Sequence, residues 1–253
     1  MCRDYNIFVQ YFFLFYHIND FFSVNFANFG HILFNGRDME MSDLLIECRA
    51  EGPFMKNGYI LGSKNDRNAV YIDPGDEAGQ MISYLQDKEL SLQAVIATHG
   101  HMDHVCGIAQ VREKWDFPIY LHPDDEFIYS GIKQQAQFFG LDCGPAPPVD
   151  HYLQDEQELE FGEIRLKVYH TPGHSPGGVC LETGDHLFTG DLIFAGSVGR
   201  TDLPGGDMEL LMKSIRERVV PLPEGQILWP GHGPRTTVGE ELKNNPFKNS
   251  FLT

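Results

Sequence analysis

Short apolar runs alternate with turn-forming residues along the chain from Met41 onward. Runs of this length, bounded by Gly, Pro, Asn and Asp, are typical of strands, and the β-branched and aromatic residues within them favour the same structure. The pattern predicts strands over Leu44–Cys48, Gly58–Gly62, Ala69–Ile72, Ala94–Ala97, Ile119–Leu121, Ile164–Tyr169, Gly178–Leu181, His186–Phe188 and Gln226–Trp229.

Longer segments space their apolar residues three and four positions apart, as one face of a helix requires. In the last of these segments, Leu211, Ile215 and Val219 form such a stripe. The predicted helices are Ala78–Asp87, Gly107–Trp115, Asp124–Phe139 and Asp207–Val219, and a connection rich in Gly and Pro runs from Gly140 to Asp150. Many strands with interspersed helices predict an α/β fold in which two packed sheets carry helices on their outer faces.

Residues 1–38 differ in composition from the rest of the chain. They hold 12 of its 31 aromatic residues and no lysine. The apolar run Ile7–Tyr16 is too short to span a bilayer as a helix, and the neutral start without a later Ala-x-Ala site argues against a secretory signal. We therefore expect translation to begin at Met39 or Met41, and residues 39–253 to form a single domain. A signal peptide and a membrane-surface anchor are the alternatives for residues 1–38.

Charge and cysteine content narrow the classes of partner and compartment. The formal net charge is -17 and no run of Lys and Arg occurs, so we expect no nucleic-acid partner. The chain has five cysteines and no Cys-x-x-Cys pair, which favours a reducing compartment over a disulfide framework. We expect a cytoplasmic protein without stable membrane association, in which Cys106 is a buried structural thiol. The oligomeric state stays open.

The segment Thr98–His104 has the sequence Thr-His-Gly-His-Met-Asp-His, which concentrates three imidazoles and a carboxylate after a predicted buried strand. These groups bind borderline transition metals at neutral pH. His99 and His101 are two residues apart, so on an extended segment their side chains point the same way and can hold one metal ion. Asp103 and His104 follow as the chain turns into a helix, and can face a second ion.

Further donor residues follow predicted strands later in the chain. His174 lies in a loop rich in Gly and Pro, Asp191 follows Phe188-Thr189-Gly190, and His232 lies between two glycines after Trp229-Pro230. A carboxylate has two oxygens, so Asp191 could bridge two cations. Each of these residues is weak evidence by itself, since a turn histidine or a capping aspartate is common. Together they predict a metal site at the ends of several strands.

The order His-x-His-x-Asp-His, then His, Asp and His, resembles the metallo-β-lactamase superfamily from about Asn57 to His232. That resemblance implies an αββα four-layer sandwich. It also implies that His99, His101 and His174 hold a first metal ion. A second ion would be held by Asp103, His104 and His232, with Asp191 bridging the two. Zinc is expected, with iron or manganese as alternatives that the donor types do not exclude.

The segment Ala195–Asp207 resembles the corresponding segment of glyoxalase II-like hydrolases, in their short bacterial form. Within it we expect Arg200 and Asp202 to form a buried ion pair that braces the ligand loop. Only about 20 residues follow His232, so we expect the glutathione-gripping helical domain of the longer enzymes to be absent. The resemblance implies hydrolysis of S-lactoylglutathione, or a similar small thioester, to a hydroxy acid and free thiol.

By this interpretation a metal-bound hydroxide attacks the thioester carbonyl, and Asp103 is the ligand that also orients the water or accepts its proton. Two other functions stay open. A mono-iron persulfide dioxygenase resembles the chain through the same histidine motif and the segment Gly199–Asp202. A non-catalytic metal-binding protein is the alternative from a different functional class.

Overall fold

The computed structural model describes residues 43–251, so the interpretation of residues 1–38 lies outside the described part of the chain. Numbered in chain order, the strands are β1 (Leu44–Glu51), β2 (Lys56–Ser63), β3 (Asn68–Ile72), β4 (Ser91–Ile96), β5 (Ile119–Leu121), β6 (His151–Tyr152), β7 (Glu158–Phe161), β8 (Ile164–His170), β9 (Val179–Thr183), β10 (His186–Gly190), β11 (Ile193–Phe194), β12 (Ser197–Val198), β13 (Ile227–Pro230) and β14 (Thr236–Thr237). All the predicted strands are confirmed, with ends that differ by a few residues. The short pairings β6, β11, β12 and β14, and the hairpin strand β7, were not predicted.

The helices of the same region are α1 (Ala78–Asp87), α2 (Met102–Val105), α3 (Ile108–Arg112), α4 (Glu126–Ser130), α5 (Ile132–Phe138), α6 (Met208–Arg218), α7 (Val238–Asn244) and α8 (Lys248–Phe251). The prediction of one helix over Asp124–Phe139 is wrong. A 3-10 turn at Pro123–Asp125 precedes α4, and Gly131 separates α4 from α5, because glycine lowers the stability of a helix interior. Among residues 43–251, no helix has the length and apolarity needed to cross a membrane.

Two six-stranded sheets form the centre of the fold. In the first sheet the strand order follows the chain from β1 to β6, and β3, β4, β5 and β6 run parallel. In the second the order is β14-β13-β10-β9-β8-β7, with β10 and β13 parallel. Parallel neighbours bring their carboxyl ends to one edge, so the loops after β4, β5, β10 and β13 can meet there.

Alternating side chains divide the interior into layers. On β2, Tyr59 and Leu61 face the second sheet and pack with Val168 and Phe188, whereas Ile60 points the other way, toward α1 and α3. This alternation is the two-residue period of a strand. The outer face of the second sheet packs against the stripe of α6 and against α7 and α8. The layers are therefore helix, sheet, sheet and helix, which confirms the αββα sandwich.

Candidate metal centre

The predicted donor residues come together at one edge of the sandwich. His99 lies in the loop after β4, and His101 is the residue that precedes α2. Asp103 and His104 lie in the single turn of α2. The second sheet contributes three residues from three loops, which are His174 between β8 and β9, Asp191 after β10, and His232 after β13.

A first donor set consists of His99, His101 and His174. One nitrogen from each ring lies within 4.8 Å of the other two, and His101 Nδ1 is 2.9 Å from His174 Nε2. His174 Nδ1–H donates to the carbonyl of Arg200 at 2.8 Å, so its Nε2 carries the lone pair of the ring and faces the centre. The set draws two residues from the first sheet's loops and one from the second's.

A second donor set consists of Asp103, His104 and His232, with one donor atom from each residue within the same 4.8 Å limit. His232 Nε2 lies 3.3 Å from Asp103 Oδ2 and 3.4 Å from His104 Nε2. His232 Nδ1–H donates to the carbonyl of Phe54 at 3.1 Å, which turns Nε2 inward. Both sets thus direct their donor atoms to a common centre.

Asp191 lies between the two donor sets. Its Oδ2 is 3.5 Å from the Nε2 atoms of both His174 and His232, and its Oδ1 is 3.3 Å from His104 Nε2. Gly231 packs directly against this carboxylate and against the His104 ring, so any side chain at that position would clash with both. Only glycine therefore fits at the position before His232.

The first donor set fits a metal ion by the protonation state of its rings. Burial lowers the pKa of His99 well below its usual value, and burial together with His174 lowers the pKa of His101 to about 3. Both rings are therefore neutral at pH 7, which is the form that binds a metal. His99 Nε2 is buried and makes no hydrogen bond. A buried imidazole lone pair without a partner is costly, and a bound cation would satisfy it.

The second donor set fits a cation by its charge. Burial opposes protonation of His104, but neighbouring carboxylates, Asp191 foremost, raise its pKa to about 9. The pKa of His232 is likewise raised despite burial, again chiefly by Asp191. Burial also opposes ionisation of Asp103 and Asp191, but the adjacent imidazoles hold both pKa values below their usual range. The carboxylates are thus ionised, and a bound divalent ion would take the place of the imidazolium protons.

Asp73, which directly follows β3, contacts the donor residues and was not predicted from the sequence. Its Oδ2 accepts hydrogen bonds from His104 Nδ1–H at 2.9 Å and from the Thr98 hydroxyl at 2.6 Å. Because that hydroxyl donates to Asp73, the Thr98 oxygen accepts from His99 Nδ1–H, 3.1 Å away. Asp73 therefore orients one ring of each donor set. The sequence signal that could have indicated Asp73 is the Asp-Pro-Gly segment directly after a predicted strand.

A buried ion pair supports Asp73 from behind. Lys56 Nζ donates to the backbone carbonyl of Asp73 and lies 2.9 Å from Glu77 Oε1. The Tyr71 hydroxyl and the Gly75 amide also donate to Glu77 Oε1, at 2.8 and 3.0 Å. Asp73 has φ 53°, a left-handed conformation that is unfavourable for a residue with a side chain. These bonds hold the backbone in that conformation.

Two other predictions are wrong in detail. Arg200 and Asp202 do pair, with both guanidinium contacts at 2.7 Å, but their side chains are 39% and 60% exposed. The ion pair is therefore a surface feature, because the loop lies at the rim of the site. Cys106 is only partly buried, since it follows α2 at the edge of the core.

The fold and the paired donor sets define a class of metal-dependent proteins, and comparison with known proteins identifies the family. The family model of the metallo-beta-lactamase superfamily matches residues 52–232. The chain belongs to this superfamily.

Curated relatives include proteins named as hydrolases. "Probable metallo-hydrolase YqgX" from Bacillus subtilis is 39% identical over 204 residues, which covers 79% of this chain and 95% of that protein. "Hydroxyacylglutathione hydrolase GloC" from Haemophilus influenzae is 38% identical over 195 residues, covering 74% of this chain and 90% of GloC. A superfamily of metallo-hydrolases is thus the coarse functional class.

Solved structures agree with the fold. The BLEG-1 B3 metallo-beta-lactamase is 38% identical, with a TM-score of 0.75 over 81% of this chain and 99% of that one. TTHA1623, solved in a di-iron-bound form, is 41% identical, with a TM-score of 0.73 over 79% of this chain and 99% of that one. A similar protein therefore holds two metal ions, although of a different kind from the zinc that the sequence led us to expect here.

Proposed function

We propose that the protein is a two-metal thioester hydrolase whose substrate is S-lactoylglutathione or a similar hydroxyacyl thioester. The observation that carries the substrate class is the 38% identity to a hydroxyacylglutathione hydrolase across 90% of that enzyme's length. The observation that supports two ions is the position of Asp191, whose carboxylate faces both donor sets.

In this proposal the first donor set would hold one divalent ion and the second the other, and Asp191 would be shared between them. Zinc is the expected metal, since imidazole and carboxylate donors suit it and it has no competing redox chemistry. The same donors also suit iron and manganese. When bound, the two ions supply a water of lowered pKa and polarise the substrate carbonyl.

The protein's own side chains position these groups and handle the proton. Asp103 is ionised at neutral pH, because His104 and His232 hold its pKa low against the effect of burial. Its Oδ2 lies 3.3 Å from His232 Nε2, and in this proposal its other oxygen accepts a hydrogen bond from the attacking water. We propose that Asp103 orients this water, the role for which a fixed acceptor of low basicity is suited.

The leaving group needs little help from the protein. A thiolate is stable at neutral pH compared with an alkoxide or an amide anion, since a free thiol has a pKa near 8.5. No side chain of the site is needed as a strong general acid. This explains how a site composed of metal-type donors and their orienting partners suffices for thioester cleavage.

The experiment that tests the proposal compares two substrates with one enzyme preparation. Purified, metal-loaded protein is incubated with S-lactoylglutathione while free thiol is measured, and with glutathione persulfide in an oxygen electrode. Thiol release without oxygen uptake supports the hydrolase. Oxygen uptake without thioester cleavage would show the mono-iron dioxygenase instead, and bound metal with neither reaction would favour a non-catalytic metal-binding protein.

A further inference from the structure

Asp125 is a fully buried carboxylate between the two loops that carry the first donor set. It ends the 3-10 turn after β5 and lies outside both donor sets. Its Oδ2 accepts from the Gly100 amide at 2.8 Å and from the Ser175 hydroxyl at 2.8 Å, and its Oδ1 accepts from the Gly177 amide at 2.6 Å. The three donors come from both sheets' loops.

The bond to Gly100 controls two donor residues at once. Gly100 is the single residue between His99 and His101, so its backbone orientation sets the relative position of both rings. A Cβ atom at Gly100 would lie 2.8 Å from the Asp125 carbonyl oxygen and 2.9 Å from the Tyr129 nitrogen. The backbone of this loop is therefore pressed against the Asp125 segment, and the hydrogen bond fixes its orientation.

The other two bonds control the third donor. Ser175 directly follows His174, and its hydroxyl and the Gly177 amide converge on the same carboxylate. A Cβ atom at Gly177 would lie 2.8 Å from Asp125 Cβ, so this loop is also in direct contact with Asp125. His122 adds a second link between the same segments, because its ring stacks on that of His170 at 4.0 Å.

We infer that Asp125 is a positioning residue that sets the spacing of the first donor set across the two sheets. The second donor set has different supports, namely Asp73 behind His104 and the Phe54 carbonyl behind His232. Loss of the Asp125 carboxylate should therefore weaken metal binding at the first donor set and leave the second largely unchanged. The inference rests on the proposed function only in that a metal ion is bound.

The test is a titration of metal-free protein with Co²⁺ alone, in competition with a chromophoric chelator. In a His232→Ala background, which disables the second donor set, Asp125→Asn should raise the dissociation constant about 10- to 100-fold, the usual effect of losing an outer partner of the ligands. Asp116→Asn, at an exposed aspartate outside every group of possible metal donors in the described residues, is the matched control and should change it less than about 2-fold. The visible spectrum of bound Co²⁺ should also change in Asp125→Asn and not in the control.

The same substitution in a His101→Ala background tests specificity. There Asp125→Asn should leave Co²⁺ affinity unchanged, and equal weakening in both backgrounds would overturn the inference, as would no weakening in either. If Asp125→Asn does not fold, as judged by circular dichroism, Ser175→Ala replaces it. That variant removes one of the three bonds and should weaken the first donor set about 2- to 10-fold; an unchanged affinity would overturn the inference.

Failure of the inference about Asp125 can be distinguished from failure of the proposed function. Parent protein that binds no Co²⁺ would overturn both. Parent protein that binds Co²⁺ but cleaves no thioester would overturn the proposed function while leaving the role of Asp125 in place.

Discussion

Asp73 Oδ2 lies 2.9 Å from His104 Nδ1 in the interior of the protein, on the side of the ring that faces away from the candidate metal centre. The same oxygen accepts the hydroxyl hydrogen of Thr98, whose oxygen in turn contacts His99. One carboxylate therefore fixes the orientation of a histidine in each donor set. Such outer partners set which ring nitrogen carries the proton and which binds the metal.

Replacement of Asp73 by Asn should weaken both donor sets. All three partners of the Asp73 carboxylate donate to it, namely the Thr98 amide, the Thr98 hydroxyl and His104 Nδ1–H. The amide nitrogen of Asn would face at least one of these donors, so at least one bond is lost and the support of both rings is weakened. We expect metal affinity to fall about 10- to 100-fold at both sets, measured by Co²⁺ titration of the metal-free variant. The control is Asp66→Asn, which changes an exposed aspartate in a turn. Asn57→Asp is not a suitable control, because Asn57 binds the backbone near His232. Normal affinity in Asp73→Asn would contradict this role.

His122 should lower the stability of the folded protein as the pH becomes acidic. Burial, with His170 beside it, lowers the pKa of His122 to about 4. The unfolded chain binds this proton as pH falls through about 6.5, whereas the folded protein resists until about pH 4, so stability is lost across that interval. Between pH 7 and 4.5, we expect the parent to lose about 1–2 kcal/mol more unfolding free energy than His122→Gln.

Urea unfolding at the two pH values measures this difference. Exposed His151 provides the matched control, since His151→Gln should keep the parent's pH dependence. An equal loss in the parent and in His122→Gln would show that His122 does not contribute.

The buried pair of Lys56 and Glu77 should be costly to break from one side. Lys56→Met leaves the Glu77 carboxylate buried with only neutral donors, which should lower the unfolding free energy by about 3–5 kcal/mol. The double variant Lys56→Met/Glu77→Gln should lose less than Lys56→Met alone, because no uncompensated charge remains. Urea denaturation measures both, with exposed Lys114→Met as control. A double variant less stable than Lys56→Met would contradict the ion-pair account.

Asp202 should contribute little to stability despite its good geometry with Arg200. Both side chains are substantially exposed, and exposed ion pairs contribute at most about 1 kcal/mol. Asp202→Asn should therefore shift the unfolding free energy by less than about 1 kcal/mol. A loss above about 2 kcal/mol in urea denaturation would indicate that the pair is buried in solution, as the sequence had led us to expect.

The sequence predicted the elements that carry their own periodic signal. The apolar runs of β2 and β4 and the stripe of α6 are long enough for burial to dominate, and they formed as expected. The two-residue strands β6 and β14 have no period to detect and depend on a neighbouring strand to form. The break at Gly131 was missed because the apolar spacing continues across it.

The candidate site was predicted to a similar extent. His99 and His104 were predicted as donors because donor residues cluster in one short motif. The structure brings them together with His174 and His232, which are distant in the sequence. Their metal-binding roles stay predictions. The supports behind them were missed, because Asp73 and Asp125 act through contacts between segments far apart in sequence. A lone aspartate after a strand has no local pattern that distinguishes it from a turn residue.

The most direct test of the two-metal hydrolase is a metal count and a thiol-release assay on one reconstituted sample. Metal-free protein is loaded with Zn²⁺, freed of excess metal, analysed for bound ions, and given S-lactoylglutathione. We expect about two ions per chain and release of free thiol, with release reduced at least about 1,000-fold in His101→Ala. Two bound ions without thiol release, or one bound ion with full activity, would contradict the proposal of a two-metal hydrolase.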